Sequence, residues 1–371
     1  MTKISRVFAI AAALAGLAEV ALASPVVEGK GKGHSPKKCK KPAKRRAWHT
    51  LGNKDKKAYI DAQLCVMAKP GNPALPGVRT LFDEMVSIHQ LQTLTIHSTG
   101  TFLPWHRWYL DLHERNLRDC GFKGAIPYWD EYHEAALPLV ASSDVFDPVT
   151  GFGSEGTVAP QYCLTDGPFA NYTNAIGPNW NITDGCIGRQ HVFNPLRDSS
   201  FVDALLLPNA TDVRAQTDYC LSLTTWAEAS TCIYLTPHVA GHIGMGSTRG
   251  DPFTSPTEPL FYLHHAYIDK LWADWQAQNP AARTYAIGGR NTQDPAVGFL
   301  ELPGDMAFEA AVVFQSEPTP EQAALVPAGD EGDNGPNVTL NHEFTAYGRI
   351  HLARARQVMD TKGGYLCYEY V

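Results

Sequence analysis

Apolar positions recur at helical spacing in five stretches of this chain. Between Trp48 and Met67 they place Ile60, Leu64 and Met67 on one face, and the prolines from Pro70 to Pro76 end that segment. A second helix is predicted over Val78–Leu94, with Leu81, Met85, Ile88 and Leu91 following the three-to-four spacing. Pro104 suits the first turn of a third, running to about Arg118 with Leu110 and Leu117 inward. A short helix over Pro237–Gly244 and a long one over Pro259–Asn279 complete the set. Residues 140–200 are rich in Gly, Pro, Asn, Asp and Ser and read as loops with short helices. Beyond residue 280 the pattern gives loops and a few strands, ending in the strand-like Tyr365–Val371. The fold class expected is mainly α, with heavy loop decoration.

The opening residues follow a different rule. Lys3 and Arg6 precede an unbroken run of apolar and small residues, Val7–Ala18, and Ala21-Leu22-Ala23 fits a signal-peptidase site. Residues 1–23 are therefore expected to be a signal peptide, leaving about 348 residues. The run is too short to span a bilayer, and no later segment reaches about 18 apolar residues, so no membrane association is expected.

Charge divides the chain. Residues 1–46 hold 11 basic residues against Glu19 and Glu28, while the remainder carries a net charge of −16. An acidic body argues against nucleic acid as a partner. Residues 24–46 read as a basic arm, solvated and packed over the domain in preference to one that binds a polyanion, and residues 47–371 as the folded domain. With 44% apolar and 19% charged residues overall, the composition is not that of an intrinsically disordered chain.

Eight cysteines, none in a Cys-x-x-Cys pair, point to disulfides in an oxidising compartment, with connectivity left open. Sequons at Asn171, Asn181, Asn209 and Asn337 agree with a secreted, extracellular protein carrying N-linked glycans.

Fourteen histidines are many for this length, and their placement carries chemistry. His238 and His242 are i and i+4, so one helix face can present both to a metal. His264 and His265 lie downstream; His89, His97 and His106 lie upstream. Sites built from imidazole alone suit copper, zinc, nickel or iron. No Glu-x-x-His pair supports a carboxylate-bridged di-iron bundle. His113-Glu114 opens a zinc-protease pattern that fails at Leu117.

Two longer runs narrow the choice. The first is His97, eight residues, then His106 within Phe102-Leu103-Pro104-Trp105-His106-Arg107; the second is the run from Glu258 to Trp272. Together with Ile126–Asp130 and Tyr368-Glu369-Tyr370, they resemble the tyrosinase and catechol oxidase (polyphenol oxidase) family of binuclear type 3 copper proteins. The resemblance spans about Arg45 to Tyr370. It implies a four-helix bundle core holding a dicopper site, two copper ions as cofactors and dioxygen as co-substrate. By the same resemblance, His89, His97 and His106 are ligands of the first copper, and His238, His242 and His265 of the second. The family's ligand spacing, counted from Pro259 and to Asp269, implies His265, with His264 beside the site. Glu258 stands where the family usually has Asp.

The implied activity is oxidation of o-diphenols to o-quinones, with small phenols as substrates. In the family, an Asn just after the first ligand of the second copper, with a Glu holding a water, accompanies monophenol hydroxylation. Val239 and Ile243, which follow His238 and His242, are apolar. Glu228 is the candidate for the water-holding carboxylate. Diphenol oxidation is thus expected over full tyrosinase activity. Phe261 is expected to pack on the ligand imidazoles, Asp269 to make a structural hydrogen bond, and His113 to pack inward. Thr93 and Thr95 stand where relatives carry a thioether-forming cysteine, so no thioether is expected. The chain ends at Val371 without the capping domain of longer relatives, so copper loading alone is expected to activate it. A haemocyanin-like oxygen carrier and a zinc hydrolase built on His238 and His242 are the other classes open.

Overall fold

Cys39 opens the described part of a computed structural model, which covers residues 39–137, 139–190, 212–244, 246, 250–293, 317–349 and 352–371. After a 3-10 turn over Trp48–Thr50 comes helix α1 (Asn53–Ala68). Its inward stripe is Tyr59, Gln63 and Val66, flanked by Ile60 and Met67. Leu64, expected inside, is 37% exposed, because the stripe through Tyr59 turns it outward. Helix α2 (Leu81–Ile96) starts at a reciprocal cap between Thr80 and Asp83 and is buried on nearly every side. Helix α3 (Phe102–Asp119) carries Pro104 in its first turn, where a missing N–H costs nothing.

A four-residue helix α4 (Glu131–Glu134) follows the Ile126–Asp130 segment. Helix α5 (Val213–Ser222) packs on α6 (Trp226–Ile233), and sequence periodicity predicted neither. The expected short helix at Pro237 is the end of a longer run. Helix α6 continues through a π turn, Tyr234–His238, into α7 (Val239–Gly244). Pro237 lacks an N–H and would crowd the carbonyl one turn back in a regular helix; the wider π turn admits it. Helix α8 (Phe261–Gln278) crosses α3 and also meets α5, α6 and the π turn. The core is therefore α2 and α3 on one side and α8 with the α6–α7 run on the other.

Strands are few and short. Among the described residues they form three two-stranded sheets: β1 (Ala43–Arg45) with β6 (Tyr368–Tyr370), β2 (Thr173–Asn174) with β3 (Gly185–Cys186), and β4 (Glu343–Phe344) with β5 (Ala353–Arg354). The first is parallel and joins the two ends of the described chain. All eight cysteines are bonded, as Cys39–Cys367, Cys65–Cys120, Cys163–Cys186 and Cys220–Cys232. No described helix is long and apolar enough to cross a membrane.

A buried ionic cluster braces α8. Asp269 accepts from Arg45 Nη1 (3.2 Å), from Tyr368 Oη (2.6 Å), from Tyr370 Oη and from Arg107. Arg45 also donates to Glu114 (2.9 Å), and its guanidinium lies 3.6 Å from the Tyr368 ring centroid. Burial pushes the Asp269 carboxyl up. The charges of Arg107 and Arg45 and the two tyrosine hydroxyls outweigh that and hold it below the usual range.

Candidate metal centre

The upstream triad is assembled by two helices and the turn between them. His89 lies on α2, His97 just past its end, and His106 on the first turns of α3. Their ring centroids are 4.9 Å (His89–His97), 5.6 Å (His89–His106) and 5.2 Å (His97–His106) apart. The downstream set comes from the other side of the bundle. His238 closes the π turn, His242 lies one turn on, and His264 and His265 lie on the first turn of α8. Centroid distances there are 4.5 Å (His238–His242), 5.2 Å (His238–His265) and 5.3 Å (His242–His265). The two sets meet where the rings of His106 and His265 stack at 4.5 Å. These two groups are the metal-capable clusters among the described residues.

Their hydrogen bonds fix which nitrogen is available. His89 Nδ1 donates to the Phe253 carbonyl (2.9 Å), His97 Nδ1 to Thr93 (3.1 Å), His106 Nδ1 to Phe102 (2.8 Å) and His238 Nδ1 to Tyr234 (3.0 Å). A carbonyl only accepts, so each Nδ1 carries the hydrogen and each Nε2 keeps a lone pair. The Nε2 atoms of His89 and His106 are buried and make no hydrogen bond. Such a group costs about 1–3 kcal/mol unless something binds it. The Nε2 atoms of His242 and His265 lie 3.1 Å apart, a fit for two imidazoles on one first-row ion at about 2.0–2.1 Å each.

Electrostatics favour the same state. Burial, reinforced by neighbouring imidazoles, holds His89, His106 and His265 well below the usual histidine value; burial brings His97 down to about 4. All are neutral at neutral pH and ready to ligate. A borderline metal that accepts nitrogen alone, such as copper, fits this donor set.

Two phenylalanines hold the ring planes. Phe261 stacks on His265 at 4.1 Å and meets His89 edge-on at 5.5 Å. Phe102 touches both sets, at 4.6 Å from His106 and 4.6 Å from His238. Its importance escaped the sequence reading, although it sits four residues before His106, the spacing that lets its carbonyl hold that ring. Tyr234 stacks on His238 at 5.2 Å by the same offset.

The remaining candidates divide. Val239 is half-buried beside His238. The side chain of Ile243 lies outside the described set, as does Asn209. Glu228 is not brought to the histidines. It is exposed on the first turn of α6, where its carboxylate accepts from the Thr225 hydroxyl at 2.7 Å. Ten residues of helix, about 15 Å, separate it from His238. Glu258 does pair: it accepts from Arg189 at 2.8 Å and from the Leu260 amide at 3.2 Å, fixing the entry to α8. His113 stacks on Tyr262 at 3.5 Å, and burial brings it down to about 3.

The common central domain of tyrosinase matches residues 79–278, which enclose every histidine of both sets. The chain belongs to the tyrosinase family. It is 32% identical to the tyrosinase-like protein phomQ1 of Diaporthe leptostromiformis over 365 residues, covering 90% of this chain and 79% of that one. It is 28% identical to the N-acetyl-6-hydroxytryptophan oxidase ivoB of Emericella nidulans, covering 88% and 91%. A polyphenol oxidase structure from Thermothelomyces thermophila superposes with a TM-score of 0.65 at 26% identity, covering 89% of each chain. The protein is thus a copper oxidoreductase of the tyrosinase and polyphenol oxidase type, and its helical core is the one that family uses for a binuclear copper site.

Proposed function

We propose that residues 47–371 form a secreted diphenol oxidase, preceded by a leader over 1–23 and a basic arm over 24–46; the end of that arm is no solvated segment, since Ala43–Arg45 is strand β1 and Arg45 is buried. One copper is held by His89, His97 and His106, the other by His238, His242 and His265. The observation that carries this is the meeting of two histidine triads, largely buried, at the His106–His265 stack. A bound copper pair supplies redox chemistry, taking electrons from a catechol and delivering them to dioxygen. Two catechols per dioxygen balance the reaction, giving two quinones and two waters.

The chain's own residues do the rest. Backbone carbonyls orient four imidazoles, and Phe102 and Phe261 limit ring rotation. The choice of diphenols is supported by Val239, whose apolar side chain beside His238 orients no water, and by the distance of Glu228 from the histidines. Secretion is supported by the leader pattern, four disulfides and the sequons, of which Asn171, Asn181 and Asn337 are exposed. A glycosidase-sensitive mass on protein from the culture medium checks that point.

The decisive experiment is metal analysis with oxygen uptake. Two coppers per chain, fast uptake with catechol and slow uptake with tyrosine are expected. Prompt tyrosine oxidation would favour a full tyrosinase, and oxygen binding without quinone would favour a carrier. His106→Ala and His265→Ala should each lose one copper and nearly all uptake; activity retained in either removes that residue from the ligand set.

A further inference from the structure

The downstream set holds one imidazole too many. His238, His242, His264 and His265 each place a nitrogen within 4.8 Å of the others. Three imidazoles leave a first-row metal an open position, whereas four can close a tetrahedral shell. His264 is chemically as able a ligand as its neighbour. Its ring meets His242 edge-on at 4.6 Å and lies 5.1 Å from His265.

What separates the two is Glu131. Its carboxylate, at the start of α4, is hydrogen-bonded to His264 Nδ1, and both side chains are fully buried. The arrangement is anchored close by, since the Trp129 amide donates to the Leu263 carbonyl at 3.0 Å. Helix α7 is shaped around it. A Cβ on Gly241, the residue before His242, would fall 2.3 Å from His264 Cε1 and 2.9 Å from Glu131 Oε2. The Nε2 atoms of His242 and His265 lie 3.1 Å apart, and it is His265 that faces the upstream triad.

We propose that Glu131 selects the ligands of the second copper. By holding His264 aside, it leaves His238, His242 and His265 to the metal, with one position open for a small molecule. This rests on the dicopper reading above. Turning His264 toward the metal would break its hydrogen bond to a buried carboxylate, a costly loss in the interior. Glu131 is a positioning residue, not a catalytic one.

Cobalt(II) in place of copper tests this, with azide as the probe of open positions. Wild type should take two cobalt ions per chain and bind azide at both. Glu131→Leu should also take two, but lose azide affinity at least about tenfold at one of them, its visible absorption shifting toward a four-nitrogen site. Adding His264→Leu should restore azide binding. Glu131→Gln keeps an acceptor for the His264 N–H and should behave as wild type. His264→Leu alone should keep two metals and normal azide affinity. A carboxylate behind an imidazole can instead strengthen a ligand. If His264→Leu loses the second metal, His264 is that ligand and the proposal is overturned; unchanged azide affinity in Glu131→Leu overturns it as well. A wild type that never binds two metals refutes the dicopper reading itself.

Discussion

The individual histidines were legible because the chain repeats a simple device. His97, His106 and His238 each bond through Nδ1 to the carbonyl four residues back, at Thr93, Phe102 and Tyr234. That device needs only local helical geometry, which spacing reveals. Phe102 and Phe261 were harder to rank, because a phenylalanine on a buried helix face is usually core. Phe261→Ala should cost about 3–5 kcal/mol of stability in urea unfolding of the metal-free protein. It should also loosen His265, read as weaker binding of the second metal. Acidity acts at this scale too. His97 folds with a value near 4, against an unfolded value near 6.5. The unfolded state therefore binds protons first, and stability falls as pH drops below about 6.5. Urea midpoints of metal-free protein between pH 7 and 4.5 should decline accordingly, and His97→Phe should flatten that slope.

Among the elements, the long helices were readable to within a few residues, since their faces are buried and periodic. Helix α5 was not, because its buried positions, Val213, Gln216, Thr217 and Cys220, are largely polar or small. The α6–α7 run was read only at its end, for Pro237 looks like a helix start and is in fact carried by a π turn. Glu131 gave no signal at all: its partner His264 is 133 residues away, a pairing that only the packing of α4 on α8 creates. Gly241→Ala tests that packing. Alanine should help an isolated helix by about 1 kcal/mol. Here its Cβ meets the His264 ring and the Glu131 carboxylate, so a net loss of about 1–3 kcal/mol is expected from thermal unfolding.

Across the whole molecule, the site is braced from a distance. Asp269 lies one turn past His265 and gathers Arg45 from the first strand, Arg107 from α3, and Tyr368 and Tyr370 from the last strand. Sequence marked the tyrosine motif and the aspartate separately; the guanidiniums between them emerged only in three dimensions. Because the folded carboxyl lies below its ordinary value, its stabilisation is present above about pH 4 and disappears as pH falls through the folded value. Asp269→Asn should cost about 3–5 kcal/mol at pH 7. In urea titrations, the gap between variant and wild type should narrow toward pH 3.

The widened turn at Tyr234–His238 also constrains how this helix can change its length. Trimming one residue from that turn would restore ordinary winding and press the Pro237 ring against the carbonyl one turn back. A deletion that looks mild on paper, such as loss of Leu235, would thus act as a kink placed just before His238, costing the second metal its first ligand instead of merely shortening the helix.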